Sequence, residues 1–244
     1  MGEGDASPSP EGQARNDERT PLHLRTLTCE RGPLNRADGS ARWVQGGTSI
    51  LASVYGPHST AARKEDPERM IIEVLFKQQT RSAGSELERQ YEQTIRGTVE
   101  GVLQAAQNPR TAVSITLQVM SDDGSVLACA LNAACAALVD AAVPLTSTFV
   151  AASVALEPDG GLLLDPTKEE EQVAQAIGCF AFTACIVEAG AKNPKIADGV
   201  LTCFSRGLMK TKQYLSMMDL ARKGCNRIGA FAHLSLQKAF ESRE

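Results

Sequence analysis

The chain has 244 residues, 43% hydrophobic and 22% charged, enough apolar content for one large core or two fused halves. A net charge of −4 and a pI near 5.5 exclude the global basic field that drives non-specific nucleic-acid binding, so any RNA contact has to be a local patch. Seven cysteines without a C-x-x-C pair, and only three histidines (His23, His58 and His233), argue against a zinc site or a Cys/His catalytic pair and for free thiols in a reducing compartment.

Residues 1–20, MGEGDASPSPEGQARNDERT, lack the apolar content to fold and resemble no secretory leader, so a disordered tail of an intracellular protein is expected, followed by one domain over 21–240. Leu24, Leu27 and Cys29 suggest a first strand. Ser40–Gln45 and Thr48–Tyr55 flank Gly46-Gly47 and read as a hairpin closed by Gly56-Pro57, with Trp43 in a core or an interface. Beyond the charged loop 58–69, Met70–Phe76 reads as a strand leading to a basic, amide-rich tip at Lys77-Gln78-Gln79-Thr80-Arg81. From Ser85 the period becomes helical, with Leu87, Tyr91, Ile95 and Val99 on one face. Glu88, Arg89, Glu92 and Arg96 fall mostly on the other face, where Arg96 has Glu88 and Glu92 as candidate ion-pair partners. Asn108-Pro109 stops the helix.

The stretch Thr111–Pro144 combines a strand, a turn and a helix. Val113, Ile115, Leu117 and Val119 alternate with polar residues, Ser121–Ser125 turns the chain, and Ser125 is placed to cap a helix running to about Ala142. Alanine, leucine, valine and cysteine cover nearly its whole circumference, so that helix is expected to be buried on most sides. Asn132 and Asp140, together with its alanine content, favour a protein core over a bilayer. A small-residue turn opening a helix is also where anions bind, so Gly124 and Ser125 are read either as a plain cap or as a phosphate cradle. Residues 148–156 form the next strand, and a Gly160-Gly161 turn leads to Leu162–Leu164. Asp165-Pro166-Thr167 opens a short acidic segment with Glu169, Glu170 and Glu171, and 177–187 reads as a strand. Residues 199–204 suggest a further strand, 207–209 a turn, and 211–240 a final helix whose apolar side includes Leu215, Met218, Cys225 and Ile228. Strands with helices late in each half indicate an α+β or α/β fold of two similar halves.

Ala37-Asp38-Gly39-Ser40-Ala41, followed by Gln45-Gly46-Gly47-Thr48 and the Val54-Tyr55-Gly56-Pro57 end of the hairpin, resembles the N-terminal signature of the RNase PH family. Asp122-Asp123-Gly124-Ser125, the Asn132 helix, Asp140–Pro144 and Leu164-Asp165-Pro166 continue the pattern in order, from about Leu22 to Met209. The similarity is strongest to the RNase PH-like ring subunits of the eukaryotic RNA exosome. The resemblance implies an α+β, ribosomal-protein-S5-domain-2-like fold with two similar β-α halves sharing sheet and helices. It also implies a 3′→5′ phosphorolytic ancestry, in which inorganic phosphate attacks the terminal phosphodiester, and a need for Mg²⁺ in members that remain active.

The resemblance also shows what has changed. In active members the helix turn reads G-T-R-T, whereas here it is Gly124-Ser125-Val126-Leu127, which leaves a vestigial phosphate cradle without its arginine. The second phosphate arginine falls at Leu87, with Arg89 near enough to substitute, and the two aspartates fall at Glu171 and Ile177. Glu171 is the candidate for residual catalysis or metal binding, with Glu169 or Glu170 as register alternatives and a solvated helix face as the plain reading. Lys77, Gln78, Arg81 and Arg89 are the candidate RNA contacts, which Arg96 and Arg110 extend. The expected function is a catalytically silent exosome ring subunit that helps frame the RNA channel in 3′→5′ RNA processing and degradation, ribosomal RNA included. The alternative is a weak phosphorolytic or metal-dependent nuclease acting as a homodimer. Expected partners are RNA, the other RNase PH-like subunits of a hexameric ring and its cap proteins, in nucleus, nucleolus and cytoplasm, with no membrane partner and no metal ligands.

Overall fold

In the computed structural model, residues 15, 19–59, 65–78, 86–184 and 196–241 are described. Three antiparallel strands, β1 (Leu27–Arg31), β2 (Gly39–Gln45) and β3 (Thr48–Ser59), come first. Strand β4 (Ile71–Lys77) follows, then helix α1 (Glu86–Val102), which lies on β4. Strand β5 (Thr111–Ser121) enters between β3 and β4, antiparallel to the first and parallel to the second, giving the order β1-β2-β3-β5-β4. The alternation read from Val113 to Val119 holds: those four residues are buried, and Ser114, Thr116 and Gln118 are half-exposed.

Helix α2 (Val126–Asp140) packs on β2 and β3 on one side and on β6 (Thr148–Leu156) on the other, and Val126 through Leu138 are all buried. Thirteen consecutive buried positions require thin side chains on a helix held between two sheets, and its alanines provide them. Asn132 keeps the helix in register with the second sheet by bonding both backbone groups of Ala151, the carbonyl at 3.0 Å and the N–H at 2.8 Å. Gly39 has no room for a side chain, because a Cβ there would lie 2.2 Å from the backbone nitrogen of Ala141.

The second sheet, β7-β6-β8-β9, is built with β7 (Leu162–Leu164), β8 (Ala176–Ala184) and β9 (Ile196–Gly207). Helix α3 (Lys168–Val173) sits between β7 and β8, and α4 (Thr211–Glu241) covers β6 and β8. Strand β9 is longer than the 199–204 segment expected, and the expected end of β8, 185–187, lies outside the described residues. On α4, Leu215 is 49% exposed and Met217 takes the inner position instead. Trp43 is buried and meets Phe231 of α4 edge-on at 5.7 Å. No helix among the described residues is long and apolar enough to cross a membrane.

The acidic face expected on α1 is corrected. Glu92 accepts the Phe76 N–H at 2.9 Å, and Glu88, only 3% exposed, accepts the Gln78 N–H at 3.2 Å. Strand β4 is an edge, so its outer N–H groups need acceptors, and the two carboxylates supply them.

Candidate functional site

The site forms where the turn between β5 and α2 meets the turn between β7 and α3. Gly124 takes φ +83°, and a Cβ there would lie 2.6 Å from the backbone of Thr167 and Lys168, so only glycine lets the two turns touch. Three residues remote in sequence lock the contact. Thr48 Oγ1 donates to Gly124 O at 2.6 Å and accepts the Asp123 N–H at 3.1 Å. The Arg25 guanidinium donates to Asp123 O at 2.6 Å and to Asp165 Oδ1 at 2.7 Å, while its backbone N–H donates to Asp165 Oδ2 at 2.9 Å. Asp165 is fully buried, which pushes its carboxyl pKa up, yet the Arg25 hydrogen bonds and charge outweigh burial and hold it below the usual carboxylate range.

Ser125 sits at the N-terminus of α2 in a left-handed conformation, φ +54°, and its side chain does not cap the helix as its position had suggested. Its Oγ donates to Pro166 O at 3.0 Å instead. Its backbone N–H, the group that a phosphate cradle would offer, donates to Glu171 Oε1 at 2.7 Å. The vestigial cradle therefore already holds an anion, supplied by the chain itself. Burial raises the pKa of the Glu171 carboxyl, partly offset by the Ser125 N–H.

The three glutamates divide their roles according to the start of α3. Thr167 and Glu170 form a reciprocal capping box, and Glu170 also lies 3.3 Å from Arg15. Arg15 belongs to the segment expected as a tail, most of which is outside the described residues; it is buried and donates to Leu164 O at 2.9 Å. That leaves Glu171 as the one turned into a cavity of about 140 Å³.

Leu87, Val126 and Ile177 all line this cavity, at the places assigned by resemblance to two arginines and an aspartate. Gln78, Tyr91, Asp122, Ser153, Lys168, Phe204 and Arg206 line it as well. Lys168 donates to Asp122 Oδ2 at 2.7 Å, which raises the lysine's pKa. The Tyr91 phenol is pushed up to about 12 by burial and then by the Glu171 charge. Gly124 itself acts through its backbone and does not face the cavity.

The candidate RNA contacts do not form one surface. Gln78 enters the cavity, but Lys77 shares the outward face of β4 with Glu73 and Leu75, because successive strand residues point to opposite sides. Arg89 does not substitute for Leu87: two residues further along a helix it is rotated by roughly 200°, and it is exposed away from the cavity. Arg81 lies outside the described residues. Arg25, Lys168 and Arg206 carry the site's positive charge and escape a reading by motif, since Arg25 meets a partner 140 positions away.

The residues do not fit Mg²⁺. Glu171 is engaged by Ser125, Asp122 by Lys168, and Ile177 cannot ligate. Among the described residues no cluster of three or more His, Cys, Asp or Glu is placed to hold a metal ion. A larger cavity of about 300 Å³ between α2, α4 and β6, lined by Trp43, Cys135 and Phe149 with Arg31 and His233 also on its wall, is mostly apolar and lies apart from the two turns that build the site.

Residues 23–144 match the RNase PH family, described as "3' exoribonuclease family, domain 1". Over 231 residues the chain is 38% identical to the exosome complex exonuclease RRP46 homolog of Oryza sativa, covering 93% of this chain and 97% of the relative. The chain belongs to the RNase PH family. The Arabidopsis thaliana RRP46 homolog is 36% identical over 92% of this chain and 96% of its own. The crystal structure of rice Rrp46 superposes with a TM-score of 0.81 at 37% identity, covering 91% of this chain and all of that one. An Archaeoglobus fulgidus exosome with RNA bound to the active site, 17% identical with a TM-score of 0.73 over 88% of this chain and 91% of that one, shares the RNase PH fold.

Proposed function

We propose that this chain is a ring subunit of the RNA exosome that does not cleave RNA and helps frame the channel through which RNA passes. The observation that carries the reading is the Ser125 N–H to Glu171 bond of 2.7 Å: the chain's own carboxylate fills the place of the attacking phosphate. A phosphate arriving there would meet Glu171 and Asp122 with Val126 and Leu87 in place of two arginines. Losing each charge-assisted bond removes roughly 1.5–3 kcal/mol of phosphate binding, and unrelieved repulsion adds to that. The names of the plant relatives and the archaeal exosome fold support a place among RNase PH-like subunits in a ring. RNA and cap proteins are the further partners of this proposal. Nucleus, nucleolus and cytoplasm, and processing of ribosomal RNA, are part of the same proposal.

A competing reading, weak phosphorolytic or metal-dependent cleavage by a homodimer, is favoured by the word exonuclease in both plant relatives' names. One assay separates the two. A 3′-labelled RNA is incubated with the purified chain, alone and bound to its ring partners, with and without phosphate and Mg²⁺. No release of nucleoside diphosphates is expected in any arm. Phosphate-dependent release that disappears in Glu171→Gln would sink the silent-subunit reading.

A further inference from the structure

The loss of two arginines and an aspartate did not simply empty the cavity; it changed which chemistry the cavity suits. Four charged groups line it, and they cancel: Asp122 and Glu171 against Lys168 and Arg206. Lys168 is committed to Asp122 at 2.7 Å, and the Ser125 N–H at the α2 terminus is committed to Glu171 at 2.7 Å. An anion would therefore find no net positive charge, and the Ser125 N–H already taken by a carboxylate. The floor is apolar, formed by Leu87, Val126, Ile177 and Phe204, with Tyr91 set edge-on to Phe204 at 5.7 Å.

What remains uncommitted is neutral or planar. The Gln78 carboxamide offers a donor and an acceptor and engages no described partner, whereas the buried Ser153 hydroxyl is already hydrogen-bonded to the Cys179 thiol. Arg206, exposed at the end of β9, meets no described carboxylate within ion-pair distance, leaving its flat guanidinium at the mouth. An apolar floor, hydrogen-bonding groups along an edge and a planar cation at the rim are how proteins hold an unstacked RNA base. At about 140 Å³ the space is well under the roughly 300–1,000 Å³ of a drug-sized site, so it admits one ring system with the sugar and phosphate outside.

We propose that the cavity at the α2 N-terminus takes a single nucleobase of single-stranded RNA, with Gln78 on the base edge and Arg206 against its face or its phosphate. The inference rests on the RNA-channel reading above and names what that channel wall binds.

The test uses a short RNA carrying one 4-thiouridine, photocrosslinked to the full chain alone and within its ring, with crosslinked peptides mapped. Crosslinks are expected on the segments bearing Tyr91 or Phe204, reduced by millimolar uridine or adenosine and unaffected by inorganic phosphate. Leu87→Ser, half-buried at the floor, should weaken this crosslink by about fivefold or more while crosslinks elsewhere persist. Val126→Arg, checked by thermal melting for folding, should make the same crosslink sensitive to phosphate. Crosslinks confined to other surfaces, or competition by phosphate in the unmutated chain, would overturn the nucleobase site and leave the channel reading standing. No RNA crosslink on this chain in any sample would overturn both.

Discussion

Glu171 decides between two accounts of the α2 N-terminus, and its replacement separates them. In Glu171→Ala the Ser125 N–H, in a residue only 1% exposed, loses its acceptor. An unsatisfied buried donor costs about 1–3 kcal/mol. For a chain of this size the melting temperature should fall by roughly 2–12 °C, at about 2–4 °C per kcal/mol. Glu171→Gln keeps an acceptor oxygen and removes a charge that burial disfavours, so it should be neutral or stabilising, within about 0.5 kcal/mol at neutral pH. The pH dependence has a defined sign. The carboxyl of Glu171 is raised above its ordinary 4.5, chiefly by burial, so the folded protein binds this proton more readily than the unfolded chain. Its contribution to stability is fully present below the ordinary value and is lost as pH rises through the raised one. The difference between wild type and Glu171→Gln should therefore shift in favour of Gln on going from acid to neutral pH. Urea denaturation followed by Trp43 fluorescence, across that range, measures it. If Gln costs as much as Ala at neutral pH, the helix terminus needs the charge and the burial argument fails; if Ala costs nothing, the bond to Ser125 does not form.

Two further substitutions test the clamp that builds the site. Arg25→Met leaves the fully buried Asp165 without its partner and should cost about 3–5 kcal/mol by chemical denaturation. Because Asp165 is held below the usual carboxylate range, its contribution is present above that range and lost as pH falls through the depressed value, so Arg25→Met should flatten the acid limb of the stability profile. Gly124→Ala puts a side chain at φ +83° and within 2.6 Å of the Thr167 and Lys168 backbone, and should cost at least about 1–3 kcal/mol in melting experiments. Retained stability in that variant would mean that the two turns are not in contact.

Much of the architecture was legible locally. The alternation through β5 and the apolar circumference of α2 follow from periods of two and 3.6, which act within a few residues. The polar side of α1 was misread because Glu88 and Glu92 serve the edge of β4, a strand that only the fold lays beside them. Arg89 looked like a replacement for Leu87 by distance along the chain, but helical rotation turns it away. Lys77 and Gln78, adjacent in sequence, face opposite sides of a strand end. Glu171 is one of three glutamates that the sequence offers in a row, and only the capping box at Thr167 and Glu170 shows which of them reaches the cavity.

By itself, then, the sequence determined the order of strands and helices, the family, and the absence of charge at Leu87, Val126 and Ile177. Those are statements about residue type and short-range period. The tertiary structure decided what fills the space those residues left. The bond from Ser125 to Glu171 spans 46 positions, the bond from Lys168 to Asp122 also spans 46, and the pairing of Arg25 with Asp165 spans 140. Such contacts form only after two sheets close on a shared helix, so no local pattern encodes them. They turn a cradle that had lost its arginine into one that is already occupied.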